Sequence, residues 1–344
     1  GFVKVEKDYL QSTGYVLPVS LGDQALDLLQ RLSKGLPTWG DLEGKGEEAL
    51  WAGREIDETR SSDWLNEKGD TPLFIKGRMV DRFSLRETPS LRIHKPGWKT
   101  QSSCRFERLV WRDVSRPNQK RRVIATLIPS DWVAGNSLGV AYFRDGCPKS
   151  LRALLGIFSS AVFEFQLRAH LATGHVSLSA IRKVRIPGRN WLVNNNLIID
   201  LVNAILAGQD ELAPVLEAAV AKYAFSLEKF DFKLVLDSFP KLTEGEKASM
   251  LNAFDNLVSS ETTGHSNTKL EGIIHNHRSA RLSELDMRMV YEIPQGGNWK
   301  NIPESIPSKR LDQIRIGFLE GKGSRSTYYG RLRPGMPSYT ISTY

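Results

Sequence analysis

The chain has 344 residues, 40% hydrophobic and 25% charged, which suits two or three folded units and excludes a wholly unstructured polymer. Its 47 Lys and Arg against 39 Asp and Glu leave a net charge of +8 and a pI near 9.4, a balance that favours an anionic partner. Two cysteines, Cys104 and Cys147, lack metal-ligand spacing and do not make a disulfide scaffold, so a reducing, cytoplasmic setting fits.

The opening, Gly1-Phe2-Val3-Lys4-Val5-Glu6, carries no signal peptide and reads as the middle of a protein. Residues 21–32 place Leu21, Ala25, Leu28, Leu29 and Leu32 on one helical face. The glycine-rich stretch 35–53 reads as irregular loop. Over 72–128 the pattern turns to short β-rich runs, at 73–75, 106–111 and 122–128, which predict strands of one sheet. Residues 151–172 predict one long helix, and 181–187 a short strand ended by Pro187. The apolar stretch within that helix is broken by Ser159, Ser160 and Glu164 and is too short to span a bilayer. Helical patterns recur at 197–206, 211–223 and 244–257, predicting a small helical unit. Residues 261–267 have linker composition, and the remainder is rich in Gly and Pro.

The densest basic feature is Arg105, Arg108, Arg112, Arg116, Lys120, Arg121 and Arg122, interleaved with Phe106, Trp111 and Asn118. A turn at 120–122 can reach phosphates or a groove; it can equally be a solvated hairpin edge, where Lys and Arg discourage strand addition. A second cluster, Lys76-Gly77-Arg78 with Arg82, sets a glycine that permits close backbone approach beside cations. His275-Asn276-His277 resembles a nuclease triplet only superficially, because three contiguous residues cannot build a ββα metal site. No phosphate-binding glycine loop, paired metal motif or Gly-x-Ser-x-Gly turn is present.

Glu55-Ile56-Asp57-Glu58-Thr59, Pro72-Leu73-Phe74-Ile75-Lys76-Gly77-Arg78 and Arg108-Leu109-Val110-Trp111-Arg112-Asp113-Val114 together resemble the specificity region of adenine-N6 DNA methyltransferases from type IIS and related restriction-modification systems. Leu154-Leu155-Gly156-Ile157-Phe158-Ser159-Ser160, then Gly174-His175-Val176-Ser177-Leu178 and Val184-Arg185-Ile186-Pro187, resemble that family's closing helix, loop and strand. The likeness covers roughly residues 50–190. Further on, residues 293–303, followed by Arg331, Leu332, Pro337, Thr340, Ile341 and Tyr344, resemble cytosine-5 DNA methyltransferases, where such a motif orients the recognition domain against the catalytic core. The chain departs from both families: it has no Asn-Pro-Pro-Tyr-type motif, no Pro-Cys pair, since Pro148 follows Cys147, and no glycine-rich S-adenosylmethionine loop.

The resulting expectation is an α+β protein with a mixed-sheet DNA target-recognition domain at 1–190, a helical connector at 191–262 and a loop-rich, methyltransferase-like segment at 263–344. Lys76, Arg78, Arg82, Arg108, Lys120, Arg121 and Arg122 are expected against DNA, with Arg112, Arg116, Asn118 and Gln119 as candidates for base edges, where Arg pairs with guanine and Asn or Gln with adenine. The resemblance implies double-stranded DNA as partner, a methyltransferase catalytic domain or restriction subunit beside it, S-adenosylmethionine in the parent enzyme but no cofactor or metal in this chain, and no membrane. The rival expectations are an active methyltransferase completed by missing segments or a second chain, and a scaffold whose basic surface meets an acidic protein.

Overall fold

The computed structural model describes residues 5–12, 22–68, 72–94, 102–116, 118–171, 173–257, 285, 289, 292–293 and 298–320. Four strands, β1 (Leu50–Gly53), β2 (Arg108–Arg112), β3 (Ala125–Ile128) and β4 (Leu138–Phe143), form an antiparallel sheet in the order β1-β4-β2-β3. The principal helices with them are α1 (Asp23–Leu32), α2 (Pro148–Phe158), α3 (Ala161–Arg168), α4 (Asn196–Leu206), α5 (Ala213–Ala219), α6 (Lys229–Asp237) and α7 (Glu244–Asn256). Helices segregated from an antiparallel sheet make the fold α+β.

Both faces of the sheet are buried, and the two-residue period of a strand sorts its side chains between them. Leu109, Trp111, Ala141 and Phe143 face the helices. Val110, Leu138 and Val140 face a layer built from Ile75, Met79 and Val80. Strand β4, a continuous apolar run absent from the strands expected on sequence, therefore lies at the centre. Gly139 sits directly opposite Trp111, where a Cβ would stand 2.1 Å from the indole, so the close approach demands glycine.

The helix expected over 151–172 is two helices bent by 62°. Ser160 caps α3 by accepting from the Phe163 N–H at 3.1 Å, while α2 ends at Phe158. The strand expected at 181–187 is instead a helical turn, Leu178–Ile181, followed by one isolated bridge between Thr38 and Arg185. Among the described residues no single helix is long and apolar enough to cross a membrane.

The chain divides into two compact units, residues 1–257 and 258–344. Residues 191–257, expected as part of a connector at 191–262, lie in the first unit. Gly156 of α2 comes so close to α4 that a Cβ would lie 2.9 Å from Ile198 and Val202. One apolar cluster runs from Leu26 through Trp39, Phe158 and Phe163 to Leu216, Phe232 and Phe254, and a stretch that shares its core is no connector. The joint expected at 261–267, with His275, Asn276 and His277, lies outside the described residues.

In the second unit, Met289, Ile293, Trp299, Ile302, Ile306 and Leu311 form a small core. Helix α8 (Lys309–Leu319) is capped by Ser308, whose hydroxyl accepts from the Leu311 N–H at 3.3 Å. Arg331, Leu332, Pro337 and Thr340 lie outside the described residues.

Candidate nucleic-acid interface

Several arginines expected on a partner are built into the interior, because a buried guanidinium persists only where carboxylates and carbonyls surround it. Arg108 is fully buried: it pairs with Glu55 at 3.1 Å and donates to the Phe106 carbonyl at 2.6 Å. Arg121 donates to Glu164 at 2.9 Å, to Glu217 at 2.6 Å and to the Ser159 carbonyl at 2.8 Å. Arg82, only a quarter exposed, donates to the same Glu217 and Ser159 oxygens at 2.8 Å each. Arg122 donates to the Thr173 carbonyl at 2.6 Å. Placing Arg82, Arg108, Arg121 and Arg122 against DNA is therefore corrected; they pin strand-side loops to one another and, through Glu164 and Glu217, to α3 and α5.

The same network perturbs its acids. Burial would raise the pKa of Glu164, but Arg121, Arg168 and the Arg122 N–H outweigh it and hold the carboxyl below the ordinary range. Burial likewise opposes Arg121 and Arg82 at Glu217, and the arginines again win.

The remaining cations gather at one end of the sheet, where β1 and β2 finish and β3 and β4 begin. Arg54, next after β1, pairs with Asp113 at 2.9 Å, and Asp113 also meets the His175 Nδ1 at 3.1 Å. Lys76 pairs with Glu58 at 3.5 Å, Arg78 with Glu87 at 3.3 Å, and Arg86 with Asp81 at 2.7 Å. Gly77 lies against Ser137 at the start of β4, so close that a Cβ would stand 2.8 Å from the Ser137 carbonyl oxygen. Arg112 caps this end by donating to the Val80 carbonyl at 2.7 Å; burial and Arg86 lower its pKa against Asp81.

Residues 113–115 follow β2 and are hung on backbone hydrogen bonds. Asp113 N–H donates to Ser137 at 3.0 Å, Ser115 N–H to Gly174 at 2.8 Å, and Val176 N–H to Asp113 at 2.7 Å. The Ser115 hydroxyl donates to Gln119 Oε1 at 2.8 Å, and Lys120 pairs with Glu246 of α7. Arg116 and Asn118 are exposed, and among the described residues their side chains form no hydrogen bond or ion pair.

The structure thus brings Lys76, Arg78, Arg112, Arg116, Asn118, Gln119 and Lys120 to one end of the sheet. Sequence reasoning missed Arg54, Arg86 and His175 there; the available signal was their position beside strand ends or beside the loop. Exposed ion pairs contribute only about 0–1 kcal/mol, so a phosphate can replace Glu87 or Asp81 at little cost. Next to this end, a cleft of about 370 Å³ opens between Arg82, Gln119 and Ile124 on one side and Leu242, Glu246 and Met250 on the other. Cys147 lies at the opposite end of the sheet, at the N-terminus of α2. No group of three His, Cys, Asp or Glu among the described residues could hold a metal ion.

No family model matches the sequence. No curated protein matches it either. Among solved structures the chain is similar to the HsdS subunit from Thermoanaerobacter tengcongensis, at 14% identity and a TM-score of 0.32, over 72% of this chain and 53% of that one. It is also similar to the type IIL restriction-modification enzyme MmeI, solved in complex with DNA, at 11% identity and a TM-score of 0.28, over 64% of this chain and 34% of that one. The chain spans about half the length of the first and about a third of the second.

Proposed function

We propose that this chain is the sequence-reading portion of a restriction-modification DNA methyltransferase, and that it meets duplex DNA with the cationic end of its sheet. The observation that carries the reading is the pair of exposed side chains Arg116 and Asn118, without a hydrogen bond or ion pair among the described residues, which follow the backbone-bonded residues 113–115 and stand amid Arg54, Arg78 and Lys120. Arg and Asn are the side chains that read guanine and adenine edges, and surrounding cations supply phosphate contacts. The likeness of residues 50–190 to adenine-N6 methyltransferase specificity regions points the same way. In this reading Arg331, Leu332, Pro337 and Thr340, which resemble the cytosine-5 family's motif, orient the recognition half against a catalytic domain. That domain, on a longer chain or a second subunit, holds S-adenosylmethionine and transfers the methyl group.

The test is fluorescence anisotropy on a site selected from random duplexes and on a scrambled control, across a salt series. Arg78→Ala and Lys120→Ala should each flatten the slope of log affinity against log salt by about 0.9 and weaken both DNAs alike. Asn118→Ala should cost about 1–3 kcal/mol on the selected site and little on the control. Affinity and slope unchanged in all three would overturn this surface. The rival, a methyltransferase completed by missing segments or a second chain, predicts that this chain alone binds S-adenosylmethionine; the proposal predicts no such binding, and only background label from tritiated S-adenosylmethionine in DNA incubated with the chain.

A further inference from the structure

Val114 is 58% exposed, and with Phe230 it makes up the exposed large apolar side chains of the first unit among the described residues. Its neighbours explain its direction. Val114 forms an antiparallel bridge with His175, so alternate residues point to opposite sides. Asp113 and Ser115 turn inward, at 8% and 1% exposure, which leaves Val114 and Arg116 turned outward together. Two residues of extended chain span about 6.6 Å, close to two base-pair steps of about 3.4 Å. The backbone bonds that carry Asp113 and Ser115 fix this pair in place, so the isopropyl group cannot fold back into the core.

We infer that Val114 reads the 5-methyl group of a pyrimidine in the major groove, two base steps from the base met by Arg116; this rests on the DNA-reading proposal above. The 5-methyl group is the apolar feature of a groove edge otherwise made of hydrogen-bond donors and acceptors. An exposed branched aliphatic side chain beside an unpartnered arginine is complementary to that edge. The methyl group belongs to thymine or to 5-methylcytosine, and the chemistry Val114 offers is the same for both.

The experiment uses the whole chain and duplex DNA it selects from a random pool. In one arm each thymine of the selected site is replaced in turn by deoxyuridine, which removes only the methyl group; in the other, each cytosine is replaced by 5-methylcytosine. Wild-type binding should change by about fourfold at one position, weaker on losing the methyl or stronger on gaining it, the change expected for one methyl group in apolar contact. Val114→Ala should erase that difference and leave the salt slope as it was, and its melting temperature should match the wild type because the side chain is exposed. Discrimination that survives in Val114→Ala, or no position sensitive to the methyl group, overturns the inference while DNA reading stands. Failure to bind any duplex overturns both.

Discussion

Glu217 has an unusual share of the first unit's polar interior: one oxygen accepts from Arg82 and Arg121, the other from the Ala161 N–H at 2.6 Å. Glu217→Gln must turn an NH2 group toward donors on one side or the other, and it removes the negative charge that Arg82 and Arg121 share, leaving Arg82 with only the Ser159 carbonyl among these partners. Loss of one partner in a buried ion network costs about 3–5 kcal/mol, so urea denaturation should show a loss of that order. Glu87→Ala, which breaks the exposed pair with Arg78, should stay within about 1 kcal/mol in the same assay. The carboxyls also set an acid limit. Because Glu164 and Glu217 titrate below their unfolded values, the unfolded chain takes up the protons first. Their contribution is complete above about pH 4.3 and is lost as pH falls further.

His170 acts in a separate window. Burial, assisted by Lys183, pushes its pKa down to about 4, so between about pH 6.5 and 4 the unfolded chain binds a proton that the folded chain refuses. Stability should therefore decline with acid in that interval before the glutamates contribute, and His170→Gln should flatten that part of the profile in denaturation measured from pH 7 to 4.

At the level of elements, the α2–α3 break shows how a helix end is satisfied. The carbonyl of Ser159, left over where α2 stops, accepts from Arg82 and Arg121 instead of continuing the helical ladder. Periodicity alone ran through this point because apolar residues recur on both sides, at Phe158 and Val162; the Ser-Ser pair was the only local signal. Strands β2 and β3 were legible as β-branched and aromatic runs. The arginines at the ends of those runs were not legible as buried, since nothing local says that Glu164 and Glu217, over 40 residues away in sequence from Arg121, arrive to neutralise them. Arg116 and Asn118 are exposed, which a polar, Pro-containing stretch between strands predicts whatever packs behind it. The contact of α2 with α4 makes its own prediction: Gly156→Val drives a branched side chain into Ile198 and Val202 and should cost about 1–3 kcal/mol by thermal melting.

Across the whole chain, the first compact unit runs to residue 257, and residues beyond 190 share its core. A chain cut after 257 should melt cooperatively by circular dichroism; one cut after 190 lacks Glu217 and exposes the face of α2 that Val202 and Leu216 cover, and it should be insoluble or molten. The residues that follow β2 stand apart from this dependence. Main-chain bonds, available to any sequence, hold residues 113 and 115, and Val114, Arg116 and Asn118 are exposed. Positions 114, 116 and 118 can therefore vary over generations with almost no toll on folding, while every residue beneath them is held in place by its neighbours. Under the DNA-reading proposal, new DNA preferences can arise there one substitution at a time, through intermediates that remain folded.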